Sequence, residues 1–284
     1  MTDQASLPSH DLAARIDAIV RVIRARTDVV PRVGLTLGSG LGGVIDALER
    51  PVTFPTRDLP AWPPSTVAGH AGRLAVGHWQ GVPVVALAGR SHRYEGYSLD
   101  RVTLALRVMH ALGARTLLFT NAVGTVNREF APGDLMLATD HINFIGRRAL
   151  FTPDELIERR AGRRVATYHS PRVGEALIAA ALRAKVKLHR GTLMGGQGPT
   201  YETAAEIRMA SAFGADVACM STVHEVTVAA ELGCEAASLS CITNLATGLG
   251  TEPLTHDEVT VVADRGAVGL RKILEEFLRA EAAR

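Results

Sequence analysis

Short apolar runs alternate along the chain with segments in which apolar residues recur every three to four positions. A run of four to eight apolar residues is typical of a buried strand, and the longer period is typical of an amphipathic helix. The alternation predicts an α/β fold with helices on both faces of a sheet. Because no change of composition marks a boundary, residues 1–284 are interpreted as a single domain with a central mixed, mainly parallel sheet.

The predicted strands share an apolar run that ends in glycine or polar residues; they are Arg32–Leu37, Arg73–His78, Val82–Ala88, Thr116–Thr120, Asp134–Thr139, the segment ending at Gly195, Val217–Met220 and Cys234–Asn244. Gln80-Gly81 predicts a hairpin between the second and third strands. Helices are expected at Leu12–Arg26, Leu99–Leu112, Val173–Ala184, Ala204–Phe213 and Thr255–Ala280. Two further helices are expected, one that ends at Leu48 and one that begins after Ser221. Three capping boxes, Thr203/Glu206, Thr222/Glu225 and Thr255/Glu258, predict where helices begin.

Charge and cysteine content exclude several classes of protein. The 31 basic and 29 acidic residues are interleaved and give a net charge of +2, which argues against a nucleic-acid-binding surface. No apolar run approaches the roughly 20 residues of a membrane-spanning helix, and no signal-peptide pattern is present, so we expect a cytoplasmic protein without a membrane partner. Cys219, Cys234 and Cys241 lack the spacing of metal ligands and are interpreted as buried thiols.

The junction between the strand ending at Gly195 and the next helix carries Tyr201 and Glu202. Open α/β folds bind ligands beyond the carboxyl ends of their strands. An aromatic ring and a carboxylate at this place suit a flat, hydrogen-bonding ligand such as a nucleobase. A favourable first-turn charge would explain Glu202 equally well.

Three other strand ends have groups that bind anions. Gly38-Ser-Gly-Leu-Gly-Gly allows backbone N–H groups and Ser39 to approach an anion, although its spacing is not that of a dinucleotide-binding loop. Arg90 and His92 follow the hairpin, with Tyr94 beside them; pairing of Arg90 with Glu95 is the structural alternative. Ser221 lies ahead of a helix N-terminus, another place where an anion is favoured.

Further candidates have a stronger structural alternative. Asn121 suits a tight turn after its strand. Asn244 ends a strand with a carboxamide that can both donate to and accept from a base edge. Met220 is typical of a core residue, but it can also lie under a sugar. His256, at the start of the last helix, is by itself typical of a surface histidine.

Taken together, these segments resemble the trimeric-type purine nucleoside phosphorylases. The matching motifs occur in the family's order across nearly the whole chain: Gly38-Ser-Gly-Leu-Gly, Gly69-His-Ala-Gly-Arg, Gly89-Arg-Ser-His-Arg-Tyr-Glu-Gly, Thr120-Asn-Ala, Gly198-Pro-Thr-Tyr-Glu-Thr-Ala-Ala-Glu, Met220-Ser-Thr-Val and Ile242-Thr-Asn. The resemblance implies phosphorolysis of a purine nucleoside, by a homotrimer, to the free base and ribose 1-phosphate. It also implies inorganic phosphate as co-substrate, and neither a metal nor an organic cofactor.

The resemblance also implies a role for each matching residue. Phosphate would be held by Ser39, Arg90, His92, the backbone of Ala122 and Ser221. The ribose would contact Tyr94, Met220 and His256, and the base would contact Tyr201, Glu202 and Asn244. Asn244, Glu202 and His92 would be the catalytic residues. Asn244 is similar to the branch that prefers 6-oxopurines, such as inosine and guanosine, including their deoxy forms.

The chain departs from the family pattern in three places. Val123 and Thr125 replace smaller residues, His224 replaces a proline, and the segment Ile145–Arg172 has no recognisable counterpart. In the family this segment lends an aromatic residue to the neighbouring subunit, a role for which Tyr168 is the candidate. Two alternatives therefore stay open: a phosphorylase for 5′-methylthioadenosine or another modified nucleoside, and a nucleoside-binding protein with little turnover.

Overall fold

A computed structural model describes residues 9–67, 72–146, 167–250 and 256–284, without the side chains of 9–10 and 256–260. Its strands are β1 Val33–Leu37, β2 Glu49–Pro55, β3 Arg73–Trp79, β4 Val82–Ala88, β5 Thr116–Thr125, β6 Leu135–Asn143, β7 Leu188–Gly195, β8 Val217–Cys219 and β9 Glu235–Leu245. Its α-helices are α1 Ser9–Arg24, α2 Leu99–Val102, α3 Leu104–Leu112, α4 Pro171–Ala184, α5 Ala204–Ala212, α6 Val223–Glu231 and α7 His256–Ala282. Among these described helices, none has the length and apolar character needed to cross a membrane.

The described strands form one sheet in the order β2-β3-β4-β1-β5-β8-β7-β6-β9. Strand β9 also pairs with β5, so that β5, β8, β7, β6 and β9 close into a ring. Five strand pairings are parallel and four are antiparallel. The mixed, mainly parallel sheet and its α/β class are therefore confirmed, and β3 and β4 form the predicted hairpin.

Alternate residues of the strands pack on opposite sides of the sheet, as the period of two requires. In β4, Val84 and Ala86 belong to one apolar cluster, whereas Val85 and Leu87 belong to the other. Helices α4 and α7 cover the first cluster, and helices α1, α3 and α6 cover the second. The sheet is thus held between two layers of helices, which leaves the strand ends to carry the polar residues.

One predicted helix is wrong. The segment up to Leu48 contains only a 3₁₀ helix, Gly42–Ala47, and the chain then enters the unpredicted strand β2. Pro51 and Pro55 obscure this strand in the sequence, because proline cannot donate to a sheet ladder and is confined mainly to edge strands. Strand β2 is such an edge.

Several predicted features lie outside the described residues. They are the motif residues 69–71, most of the divergent segment Ile145–Arg172, and the Thr255/Glu258 capping box. Helix α7 begins at His256, whose side chain is also outside the described part.

Candidate active site

The structure brings ten of the eleven predicted site residues to one cleft. Its walls are formed by the segments after β1, β4, β7 and β8 and by the ends of β5 and β9, and its cavity volume is about 130 Å³. The ten residues are Ser39, Arg90, His92, Tyr94, Ala122, Tyr201, Glu202, Met220, Ser221 and Asn244. For the eleventh, His256, the side chain is not described.

The residues that line this cleft include two chemically different groups. We call Ser39, Arg90, His92 and Ser221 the Arg90 end, and Tyr201, Glu202 and Asn244 the Glu202 end. Hydroxyl, imidazole and guanidinium donors at the first end suit an anion. The aromatic ring, carboxylate and carboxamide at the second end suit a flat ligand with both donors and acceptors.

The guanidinium of Arg90 is buried and held by the protein. Its Nη1 lies 2.6 Å from Glu225 Oε2, 2.9 Å from Thr222 Oγ1 and 3.3 Å from Ser221 Oγ. Its Nη2 donates to the carbonyl of Thr120. The structural alternative that pairs Arg90 with Glu95 is therefore wrong, because the partner of Arg90 comes from helix α6.

The predicted capping box at Thr222 is also wrong, because this residue has a left-handed backbone with φ of 64° and its side chain caps no N–H of the helix. Such a backbone is strained for a β-branched residue. The Thr222 hydroxyl instead accepts hydrogen bonds from Arg90 and, at 3.0 Å, from Asn121 Nδ2. Burial, the main cause, raises the pKa of Glu225, whereas the charge of Arg90 and the backbone and side chain of Thr222 act to lower it.

A second carboxylate orients His92. Glu95 Oε1 accepts from the His92 backbone at 2.6 Å and lies 3.3 Å from His92 Nδ1. Burial raises the pKa of Glu95, but hydrogen bonds from His92 and Thr66 outweigh it and lower the pKa to about 2. The His92 ring stacks on Tyr94 with centroids 4.8 Å apart. Burial and the charge of Glu95 raise the pKa of Tyr94 to about 12, so its hydroxyl stays protonated.

At the Glu202 end, burial of the carboxyl raises the pKa of Glu202, and the nearby charge of Glu206 adds to the rise. A Cβ at Gly196 would lie 2.6 Å from Glu202 Oε1, so a larger residue there would displace the carboxylate. The predicted Thr203/Glu206 capping box is confirmed: it starts helix α5 directly after Glu202. This start fixes the backbone that presents Glu202 to the cleft.

The carboxamide of Asn244 has a fixed orientation. Its Nδ2 donates to the carbonyl of Leu245 at 3.0 Å, and its Oδ1 accepts from Thr243 Oγ1 at 2.8 Å. One N–H and one lone pair of Asn244 are then left for a ligand. Asn244 is opposite Gly124 in the parallel register of β5 and β9, where a Cβ at residue 124 would lie 3.0 Å from Asn244 Nδ2.

Sequence reasoning missed Glu225, Thr243 and the second role of Asn121. Asn121 does not form a turn but lies inside β5, where its side chain holds Thr222 and lines the cleft. Glu225 was predicted only as the glutamate of the Thr222/Glu225 capping box. Its position one helical turn from Ser221 was the available signal, since side chains three and four apart share a helix face.

The residues that depart from the family pattern lie in different environments in the structure. Val123 lines the cleft, but the buried Thr125 does not. Burial and the positive charges of Arg90, His92 and Arg93 lower the pKa of His224 to about 3, so its imidazole is neutral near pH 7. Tyr168 is exposed and packs edge-on against His141, outside the cleft.

Metal-ligand geometry is absent from the part of the chain that the structure describes: no group of three or more His, Cys, Asp or Glu side chains there can hold an ion. The three cysteines are buried and form no disulfide, as predicted. Burial, the main cause, raises the pKa of Cys219, which lines the cleft, to about 12.

Comparisons with known proteins agree with this geometry. A family model described as the phosphorylase superfamily matches residues 32–279. The chain is 41% identical over 264 residues to purine nucleoside phosphorylase 1 of Bacillus subtilis, covering 93% of this chain and 97% of the relative. It is also 41% identical to purine nucleoside phosphorylase 1 of Geobacillus stearothermophilus, covering 93% and 94%. The crystal structure of Schistosoma mansoni purine nucleoside phosphorylase in complex with inosine superimposes with a TM-score of 0.82 and 29% identity, covering 94% of this chain and 96% of that one.

Proposed function

Because the chain belongs to the phosphorylase superfamily and, within it, to the purine nucleoside phosphorylases, we propose that it converts inosine, guanosine and their deoxy forms to the free purine and (deoxy)ribose 1-phosphate. The observation that carries the proposal is the single cleft, which has anion donors at its Arg90 end and base-binding groups at its Glu202 end. Inorganic phosphate is the co-substrate in this proposal, and no cofactor takes part.

The Arg90 end supports the use of phosphate. Ser221 Oγ accepts from Arg90 and lies 3.2 Å from Thr222 Oγ1, and its hydroxyl would turn to donate to a bound anion. Ser39, His92 and the backbone of Ala122 line the same end. An anion seated there, below the sugar, would stabilise positive charge that develops on the ribose and would then form the new bond to its anomeric carbon.

The Glu202 end supports a preference for 6-oxopurines. A carboxylate only accepts hydrogen bonds. The N1–H of hypoxanthine or guanine can donate to Glu202, whereas N1 of adenine is an acceptor and would face the carboxylate unfavourably. A site built to bind a donor rejects a ligand without it, because its buried polar group is left unpaired. The Schistosoma mansoni enzyme is described in complex with inosine and also in complex with adenosine, so base preference has to be measured for this chain.

Asn244 supports departure of the base. Cleavage of the glycosidic C–N bond puts negative charge on the purine. The oriented carboxamide of Asn244 would form a hydrogen bond that strengthens as this charge develops, which is what lowers a reaction barrier. Tyr94 and Met220 also line the cleft and would contact the ribose, together with His256.

A homotrimer in the cytoplasm is part of the same proposal. The homotrimer follows from the resemblance to the trimeric-type family, and the cytoplasm is the location expected from the sequence. Size-exclusion chromatography with light scattering tests the assembly: a mass of three chains is expected, and a monomer or dimer would contradict it.

The activity test follows release of hypoxanthine from inosine by ultraviolet absorbance, with and without inorganic phosphate. Release that depends on phosphate is expected. Release without phosphate would identify a hydrolase, and no release despite stabilisation by inosine would identify a nucleoside-binding protein. Guanosine, adenosine and 5′-methylthioadenosine serve as alternative substrates. The Asn244→Ala protein, purified in the same way, controls for contaminating activity.

A further inference from the structure

Glu225 and Arg90 form a buried ion pair directly behind the cleft. Arg90 lines the cleft and also a second, smaller cavity, whereas Glu225 lines only the second cavity. The side chains of Arg90 and Glu225 are 3% and 4% exposed. Glu225 is therefore placed to act on the contents of the cleft through Arg90, without direct contact.

The pair is fixed in place by hydrogen bonds on both sides. The 2.6 Å contact joins Arg90 Nη1 to Glu225 Oε2. Thr222 lies against both side chains: its hydroxyl accepts a hydrogen bond from Arg90, and its backbone and side chain favour the ionised form of Glu225. Asn121 donates to the same hydroxyl. A chain of contacts thus links the Glu225 carboxylate to Arg90, to Asn121 and, through the backbone, to Ser221.

The charges of the pair act in opposite directions on an anion in the cleft. Arg90 attracts the anion, and the carboxylate of Glu225 both repels it and competes for Nη1 of Arg90. Burial weakens screening by water and salt, so this repulsion extends to the Arg90 end of the cleft. In the empty site, the carboxylate also supplies the counter-charge that the buried guanidinium needs.

We propose that Glu225 is a positioning residue of the anion site: it fixes the guanidinium of Arg90, and its negative charge weakens the binding of phosphate. The inference rests on the proposed function. Weak binding matches a co-substrate that must enter the site at each turnover, and the ion pair keeps the empty site stable.

Glu225→Gln tests this proposal, because it removes the charge and keeps an acceptor for Arg90. Binding of inorganic phosphate is measured by calorimetry, and the KM values for phosphate and inosine are measured separately. We expect the dissociation constant of phosphate to fall by roughly tenfold. The KM for inosine should stay within about twofold. The melting temperature without phosphate should fall, and phosphate should raise it by more than in the wild type. An unchanged or higher dissociation constant would overturn the proposal.

Glu281→Gln is the matched control. Glu281 is also buried and lies 2.7 Å from an arginine, Arg172, but neither residue lines the cleft. This variant should lose thermal stability and bind phosphate as the wild type does. If it tightened phosphate binding equally, the effect of Glu225→Gln would be a general charge effect and the proposal would be overturned.

If Glu225→Gln does not fold, Glu225→Asp carries the test. It withdraws the carboxylate from Arg90 by one methylene, and we expect phosphate to bind about threefold more tightly. An unchanged or weaker affinity overturns the inference. Failure of the proposed function is recognised separately, because wild-type protein would then neither bind phosphate nor use it to release hypoxanthine.

Discussion

At the Arg90 end of the cleft, Arg90 and Ser221 are 5% and 6% exposed and are hydrogen-bonded to each other and to helix α6. At the Glu202 end, Tyr201 is 43% exposed and Glu202 is only partly buried. The Arg90 end is therefore part of the packed structure of the protein. The Glu202 end is more open to solvent.

Because of this difference, the two ends contribute differently to stability and to activity. A buried charge that loses its partner destabilises the fold, because the partner left behind cannot return to water. A half-exposed group can lose its ligand contacts with little effect on folding. Substitutions at the Arg90 end should thus change stability and activity together, and substitutions at the Glu202 end should change activity alone.

Arg90→Ala should have the largest effect on stability. It leaves Glu225 buried without its counter-charge, and such a loss typically costs about 3–5 kcal/mol of unfolding free energy. Urea denaturation measures it, and the same protein should require far more phosphate for turnover. A comparison with Arg172→Ala is informative, because the pairs of Arg172 are more exposed and outside the cleft. A smaller loss for Arg90→Ala than for Arg172→Ala would contradict the distinction between the two ends.

Asn244→Ala should instead cripple turnover and leave the fold intact. Removal of one oriented hydrogen-bonding group costs about 3 kcal/mol of transition-state stabilisation, or at least about a hundredfold in kcat. Steady-state kinetics and a melting curve test both parts. Asn127→Ala is the control, since its carboxamide donates to Asp216 outside the cleft. Equal kcat values for the wild type and Asn244→Ala would contradict the role assigned to Asn244.

The pH dependence of activity tests the role of Glu202 at its end of the cleft. Burial raises the pKa of its carboxyl, so protonation on acidification begins at a higher pH than for an exposed glutamate. Only the ionised form accepts a hydrogen bond from the base with both oxygens, so kcat/KM for inosine should fall as the pH falls through this raised pKa. In Glu202→Gln, this acidic decline should disappear, with activity lower throughout by roughly tenfold.

Glu206→Gln provides the matched variant for the pH profile. The charge of Glu206 contributes to the raised pKa of Glu202. Its removal should move the acidic decline to lower pH without abolishing it. A profile that stays unchanged in both Glu202→Gln and Glu206→Gln would assign the decline to another group.

The positions of the site residues could be predicted because the sheet consists mainly of parallel strands. Polar groups that follow apolar strands collect at one edge of such a sheet. This rule places Ser39, Arg90 and Asn244 together, although more than 200 positions separate the first from the last. Hydrophobic patterning alone thus predicted which segments meet, but not how their side chains pair.

Sequence patterns could not predict which side chains pair with each other at the Arg90 end. Glu225 follows Arg90 by 135 positions and has the spacing of a capping residue, so the local explanation was sufficient. The left-handed backbone of Thr222 contradicts the capping box, because it directs the Thr222 hydroxyl towards Arg90 and Asn121. Tertiary contacts determined this conformation, and propensity for a β-branched residue argues against it.

Tyr201→Phe should have the smallest effect. Tyr201 is 43% exposed, and the substitution keeps the ring that would pack on the base. Changes of exposed polar groups are usually within about 0.5 kcal/mol, so the KM for inosine should change by no more than about twofold. The melting temperature should also stay the same. A loss of tenfold or more would show that the hydroxyl itself binds the ligand, and the Glu202 end would then be as tightly specified as the Arg90 end.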